Sequence, residues 1–159
     1  MLDEKQEKIE KEKKIITEIS HQLFLNLGIK VNVNVVFQDD LFFLNLEPFD
    51  DVVGLLIGKK GKTLHSIQTI INLIYKNKSS EFRRIIVDIA NWKEKEKKRL
   101  MDVASQAALR AIETNQPQAL YNLTPAQRRI IHIFLSQRDD VETFSEGEEN
   151  SRYLVVKKK

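Results

Sequence analysis

Two short stretches hold the residues whose types and spacing suit a chemical task. In Ile57-Gly58-Lys59-Lys60-Gly61-Lys62-Thr63-Leu64, two glycines bracket two lysines and a third lysine follows. A residue without Cβ turns through backbone conformations that others avoid and lets a ligand come close to the main chain. With cations on either side, that ligand is a phosphate chain. The apolar series Leu64, Ile67, Ile70, Ile71, Ile74 follows at helical spacing, so the loop opens into a helix N-terminus, where unpaired N–H groups and the dipole favour an anion. In Arg128-Arg129-Ile130-Ile131-His132, an arginine and a histidine four residues apart point from one helix face. Each stretch also has a plainer reading, a helix-to-helix turn for the first and a solvated helix face for the second. The first is not a P-loop, because its glycines are too closely spaced.

The elements that position these residues follow from periodicity. Residues 3–27 read as a helix, charged in its first half and carrying Ile15, Ile16, Ile19, Leu23 and Leu27 in its second, with Gly28 to stop it. The charges before Lys14 read as a solvated face or a frayed end. Val31 to Phe37 alternates apolar and polar residues, Gln38-Asp39-Asp40 is a turn, and Leu41 to Leu46 completes a hairpin. Asp50 or Asp51 is placed to cap one or two helical turns over Val52 to Ile57. After the glycine loop, a helix runs to about Tyr75, and Arg83 to Ile89 forms a third strand. A composition shift at Asn91 opens a long helix from Trp92 to about Thr114, expected to link the two halves. Pro117 and the segment Leu120 to Leu123 form a connector or short strand. Thr124-Pro125-Ala126-Gln127 starts another helix, with threonine at the cap, proline at the first position and glutamine completing a capping box. Val141 to Phe144 and Arg152 to Val156 read as strands around an acidic turn, and three lysines close the chain.

Composition narrows the function classes. The 159 residues, 42% hydrophobic and 31% charged, make one ordinary domain or two small ones. Zero cysteines remove disulfides, thiolate zinc sites and cysteine nucleophiles together. His21, His65 and His132 are widely separated and lack spaced carboxylate or histidine partners, so neither a metal, a cofactor nor an enzymatic centre is expected. No apolar run has the length of a membrane span and the N-terminus lacks a signal-peptide core, which predicts a cytoplasmic protein without membrane insertion. The net charge of +3 is modest, but seven basic residues (Lys59, Lys60, Lys62, Lys76, Lys78, Arg83, Arg84) lie between Gly58 and Arg84 against the single acid Glu81. That local footprint suits phosphate.

The order helix, strand, strand, short helix, glycine loop, helix, strand, together with Ile57-Gly58-Lys59-Lys60-Gly61, resembles a KH domain in its bacterial, type II arrangement. The resemblance implies an α+β fold with a three-stranded sheet backed by helices over residues 1–91. It also implies that the loop grips the backbone of about four single-stranded nucleotides while bases lie on an apolar groove near Ile57 and Leu64. Ile57, Gly58, Lys59, Lys60, Gly61 and Lys62 are the RNA-binding candidates it supplies.

The segment Arg128-Arg129-Ile130-Ile131-His132, followed by Val141 to Glu148 and Arg152 to Val156, resembles the R-three-H (Arg-x-x-x-His) domain. This implies a small α/β domain over residues 92–159, led by a long helix, that binds single-stranded nucleic acid. Arg128 would contact phosphate, with His132 beside it as donor or stacking surface and Arg129 adding charge. A KH domain followed by this domain is the arrangement of the bacterial Jag, or SpoIIIJ-associated, family of RNA-binding proteins. Many members carry a further small N-terminal domain with no counterpart in this sequence. The resemblance implies a post-transcriptional regulator or RNA chaperone linked to cell shape and division, with single-stranded RNA, or single-stranded DNA, as partner. The alternative is a protein adaptor that forms a homodimer, or a heterodimer with a small KH protein, through the helix bearing Leu64, Ile67 and Ile71.

Overall fold

A computed structural model describes residues 2–49, 51–79, 83–148 and 151–159. The chain divides into two compact units, Met1–Lys93 and Glu94–Lys159, each with its own core. The architecture is α+β, as the periodicity and the KH resemblance predict.

In the first unit, α1 (Leu2–Asn26) precedes the hairpin β1 (Val31–Gln38) and β2 (Leu41–Pro48). There follow α2 (Val53–Ile57), a single tight turn at Lys59–Gly61, α3 (Lys62–Lys78) and β3 (Ile85–Ile89). The strands lie in the order β1-β2-β3, the first pair antiparallel and the second parallel. Val-Asn alternation sets the hairpin register, in which Val33 faces Leu46 and Val35 faces Leu44. Phe42, Leu44 and Leu46 on the central strand are fully buried beneath Ile16, Phe24, Ile71 and Tyr75 of α1 and α3. Edge strand β3 is closed off by side chains of α3. Asn72 donates to the Ile85 carbonyl at 2.9 Å and accepts from the Ile85 N–H at 2.9 Å, and Gln68 accepts from the Val87 N–H at 3.0 Å.

Several expectations are corrected here. Glu12, read as part of a solvated stretch, is buried and bonded to Arg83 at 2.7 Å, and Arg83 also reaches Asp40 at 3.0 Å. Arg83 therefore neutralises acids of its own fold rather than belonging to a phosphate footprint. Leu27 lies past the helix end and is exposed, while Phe24, one turn earlier, takes the core position. No side chain caps α2; its cap residue is Val52, not Asp51, and Asp50 lies outside the described residues. The α3 face named for partner contact, Leu64, Ile67 and Ile71, is inside the core.

The second unit contains α4 (Trp92–Thr114), which begins in the first, then β4 (Gln118–Leu120), α5 (Pro125–Leu135), β5 (Val141–Glu146) and β6 (Tyr153–Lys158). Its sheet has the order β4-β6-β5, antiparallel throughout. Leu100, Ala104, Ala107 and Ala108 of α4 and Ile131 and Leu135 of α5 bury against Leu154, Val156 and Val141. The capping box at Thr124 forms: Thr124 Oγ1 accepts from the Gln127 N–H at 3.3 Å, and Gln127 Oε1 from the Thr124 N–H at 2.8 Å. Gln127 has a further role that its sequence position does not show. Its amide donates to Glu96 Oε1 at 2.7 Å, while Arg99 holds both Glu96 oxygens at 2.8 Å, so the cap of α5 is tied to α4.

Candidate nucleic-acid interface

The glycine loop is shaped by three consecutive demands on the backbone. α2 ends at Gly58, whose N–H bonds to the Gly54 carbonyl at 2.9 Å and whose φ is 68°. Lys60 adopts φ 56° and ψ 31°, and Gly61 φ 78° and ψ 14°, so the chain passes through two left-handed residues before α3 begins. Space is as restrictive as torsion. A Cβ on Gly58 would lie 2.1 Å from Thr63 Oγ1, and one on Gly61 2.5 Å from the Trp92 ring. Thus the first glycine lets Thr63 fold back over the loop, and the second lets Trp92, at the start of α4, stack beneath it. Trp92 was not among the sequence candidates because its contact spans 31 positions and no local pattern signals it.

Lys59, Lys60 and Lys62 all project into solvent from this turn. No side chain of the described residues caps the N-terminus of α3; the N–H groups of Gly61 and Lys62 bond instead to the carbonyls of Gly58, at 3.3 Å, and Lys59, so the positive end of the helix dipole and the three lysines are what this turn offers an anion. Ile57 is half-buried and packs on the core; Leu64 is 3% exposed and cannot receive a base. The exposed apolar side chain on this side of the loop sequence is Leu55, 71% exposed.

In the second unit, Arg128, Arg129 and His132 come together as one face of α5. With Pro125, Thr143, Ser145 and Arg152 they line a shallow cavity of about 330 Å³. Arg128 is half-buried and anchored: Nη1 donates to the Leu123 carbonyl at 2.9 Å and the Arg152 carbonyl at 3.2 Å. This fixes the guanidinium plane and leaves Nε and Nη2 without a bonded partner among the described residues. His132 Nδ1 lies 2.6 Å from Thr143 Oγ1, which pins the imidazole and presents Nε2 outward. Arg129 and Arg152 are exposed, so the cavity gathers three guanidinium groups and an imidazole. Sequence reasoning placed Arg128, Arg129 and His132 on one helix but missed Thr143 and Arg152, which arrive from β5 and the start of β6.

The domain model for the KhpA/KhpB type of KH domain matches residues 13–89, enclosing the glycine loop, and that for the R-three-H domain matches residues 98–158, enclosing Arg128 and His132. The chain carries a KH domain of the KhpA/KhpB type followed by an R-three-H domain, and it is similar to the RNA-binding proteins named KhpB, of the Jag family. The RNA-binding protein KhpB of Clostridium symbiosum is 32% identical over 139 residues, covering 87% of this chain and 63% of that protein. Its namesake from Bacillus subtilis is 32% identical over 108 residues, 67% of this chain and 52% of the relative, and that from Lactiplantibacillus plantarum 28% over 130 residues, 82% and 40%. The chain therefore spans roughly half the length of these relatives. In the KH domain the paired lysines occupy the turn between the glycines, and in the R-three-H domain the Arg-x-x-x-His pair faces the cavity. Among the described residues no group of three or more His, Asp or Glu is arranged to hold a metal ion, and no helix is long and apolar enough to cross a membrane.

Proposed function

We propose that the chain is a non-enzymatic protein that binds single-stranded RNA at two places, the Gly58–Gly61 loop of the KH domain and the Arg128/His132 face of the R-three-H domain. The observation that carries this reading is the exposure of Lys59, Lys60 and Lys62 around a left-handed turn that opens an uncapped helix. The positive end of the α3 dipole and the three exposed lysines favour a phosphate there. At the second place Arg128 offers a guanidinium already held in plane, so little rotamer entropy is lost when it meets a phosphate. Arg129 and His132 Nε2 complete that contact. Most donors at both places face phosphate rather than base edges, so sequence preference is modest.

Supporting the choice of RNA, the relatives of this architecture are named RNA-binding proteins. A role as post-transcriptional regulator or chaperone in the cytoplasm, with a link to cell shape and division, belongs to the same proposal and rests on the family resemblance. The test is titration of a labelled single-stranded RNA by fluorescence anisotropy, with the double change Lys59→Asp and Lys60→Asp. Affinity is expected to fall by about tenfold or more, since two attractive charges become repulsive at a phosphate. Unchanged affinity in a folded variant rejects the loop as the clamp.

A further inference from the structure

Strand alternation gives the R-three-H sheet two faces. Leu154 and Val156 of β6, Leu120 of β4 and Val141 of β5 face α4 and α5 and belong to the core. Tyr153 and Val155 point to the other side. In register, Val155 stands between Ala119 of β4 and Phe144 of β5, and Tyr153 stands beside Glu146. Tyr121, the residue after β4, continues this row. Its ring centroid lies 4.8 Å from that of Tyr153, with the planes tilted by 39°. Tyr121 is nevertheless 62% exposed and Phe144 39%, so this face of the sheet shows aromatic rings to solvent. The two carboxylates beside them are engaged: Glu146 accepts from the Tyr153 hydroxyl at 2.8 Å, and Glu142 pairs with Lys157 at 3.5 Å.

The aromatic row is continuous with the cavity that holds Arg128 and His132. Phe144 lines both. The Arg128 guanidinium is bonded to the carbonyls of Leu123 and Arg152, two residues after Tyr121 and one before Tyr153. Two residues of chain span at most about 7 Å, so the tyrosine pair stands next to that guanidinium. We propose that Tyr121, backed by Tyr153, is a stacking platform for one unpaired base of the strand whose phosphate lies at Arg128. This rests on the phosphate reading of the cavity and adds what the cavity lacks, a reason to prefer single strands. Phosphates occur equally in paired and unpaired nucleic acid, whereas the base of a duplex has both faces covered by its neighbours and offers none to Tyr121. Contact with Tyr153 holds the Tyr121 ring on one side and leaves the other open, so little freedom is lost when a base arrives. Every base has a flat face, so the platform tolerates any sequence.

The test is titration of the full chain, by fluorescence anisotropy, with a labelled single-stranded oligouridylate and with a duplex RNA of the same length. Tyr121→Ala is expected to weaken binding of the oligouridylate about tenfold, the size of one lost stack, and to change duplex binding by less than about twofold. The slope of log K against log salt stays as in the parent, because no charge is removed. Tyr121→Trp keeps a flat ring and stays within about threefold of the parent. Arg129→Ala, by contrast, weakens both ligands and makes the single-strand slope shallower by about 0.7. Tyr121→Ala binding the oligouridylate as the parent does, while Arg129→Ala binds it more weakly, overturns the platform and leaves the phosphate contact standing. Equal losses on single strand and duplex, or a tryptophan variant as weak as the alanine one, assign Tyr121 to the fold and overturn it as well. If both Tyr121→Ala and Arg129→Ala match the parent in affinity and slope, the phosphate contact falls and the platform with it.

Discussion

Residues at the two candidate sites differ in whether they shape the protein or face its ligand, and substitutions separate these roles. Gly61→Ala is expected to destabilise the KH domain by about 1–3 kcal/mol, since it combines a left-handed torsion with a clash against the Trp92 ring. Chemical denaturation followed by tryptophan fluorescence reads this directly, because Trp92 is the chain's sole tryptophan. Lys60→Gly should do the opposite. Lys60 holds a left-handed conformation that costs a residue with a Cβ about 1 kcal/mol, so glycine leaves stability unchanged or slightly higher while removing a cation and lowering RNA affinity. A large loss of stability in Lys60→Gly would show that its side chain is structural. Arg128→Ala deletes two hydrogen bonds to carbonyls as well as a charge and is expected to cost about 1–3 kcal/mol in the R-three-H domain. Arg129→Ala removes only an exposed charge and leaves the melting temperature within about one degree or two.

These contrasts mark what the sequence could and could not say at this scale. Two glycines around two lysines announced a turn with left-handed backbone, and the Thr124–Gln127 spacing announced a capping box, because both depend on residues close in the chain. Leu64 as a base-receiving position failed: helical periodicity identifies an apolar face but not whether the core or a ligand covers it. The double anchoring of Arg128 was equally hidden, as its acceptors are carbonyls at Leu123 and Arg152 and any residue supplies a carbonyl.

Among elements, the junction of α4 and α5 is where electrostatics and folding meet. The hydrogen bonds from Arg99, aided by that from Gln127, hold the Glu96 carboxyl below the usual carboxylate range against the opposing effect of burial. A group whose folded pKa is depressed contributes stability above its unfolded value, about 4.3 for glutamate, and loses it as pH falls through the folded value. The R-three-H domain is therefore expected to lose stability as pH drops below about 4.3, and Glu96→Gln should flatten that acid limb in a pH series of thermal melts. An acid limb of the same slope in the variant would assign the effect elsewhere. Thr124→Ala should cost about 1 kcal/mol at neutral pH, since it opens the capping box at the start of the helix that carries Arg128 and His132. The strands were legible from alternation, and the short β4 less so, because three residues are too few to show a period. Glu12 was misread for a related reason: a charge run gives no sign that one of its members turns inward to meet Arg83 across 71 positions.

For the molecule as a whole, the account predicts a polyelectrolyte interaction shared by two domains. Each phosphate neutralised on single-stranded RNA contributes about 0.7 to the slope of log K against log salt, so a chain engaging several phosphates weakens steeply as salt rises. Two weak sites on one polypeptide bind one RNA more tightly than either alone, provided the RNA is long enough to reach both. Shortening the RNA below that span should therefore cost more affinity than the lost phosphates explain. The most direct measurement is the affinity of a labelled single-stranded RNA across a salt series, compared between the parent chain and the Lys59→Asp/Lys60→Asp variant. The account predicts a linear dependence with a slope that becomes shallower by about 1.4 in the variant, as two phosphate contacts are lost. Parallel lines of equal affinity, or no dependence on salt in the parent, would contradict it.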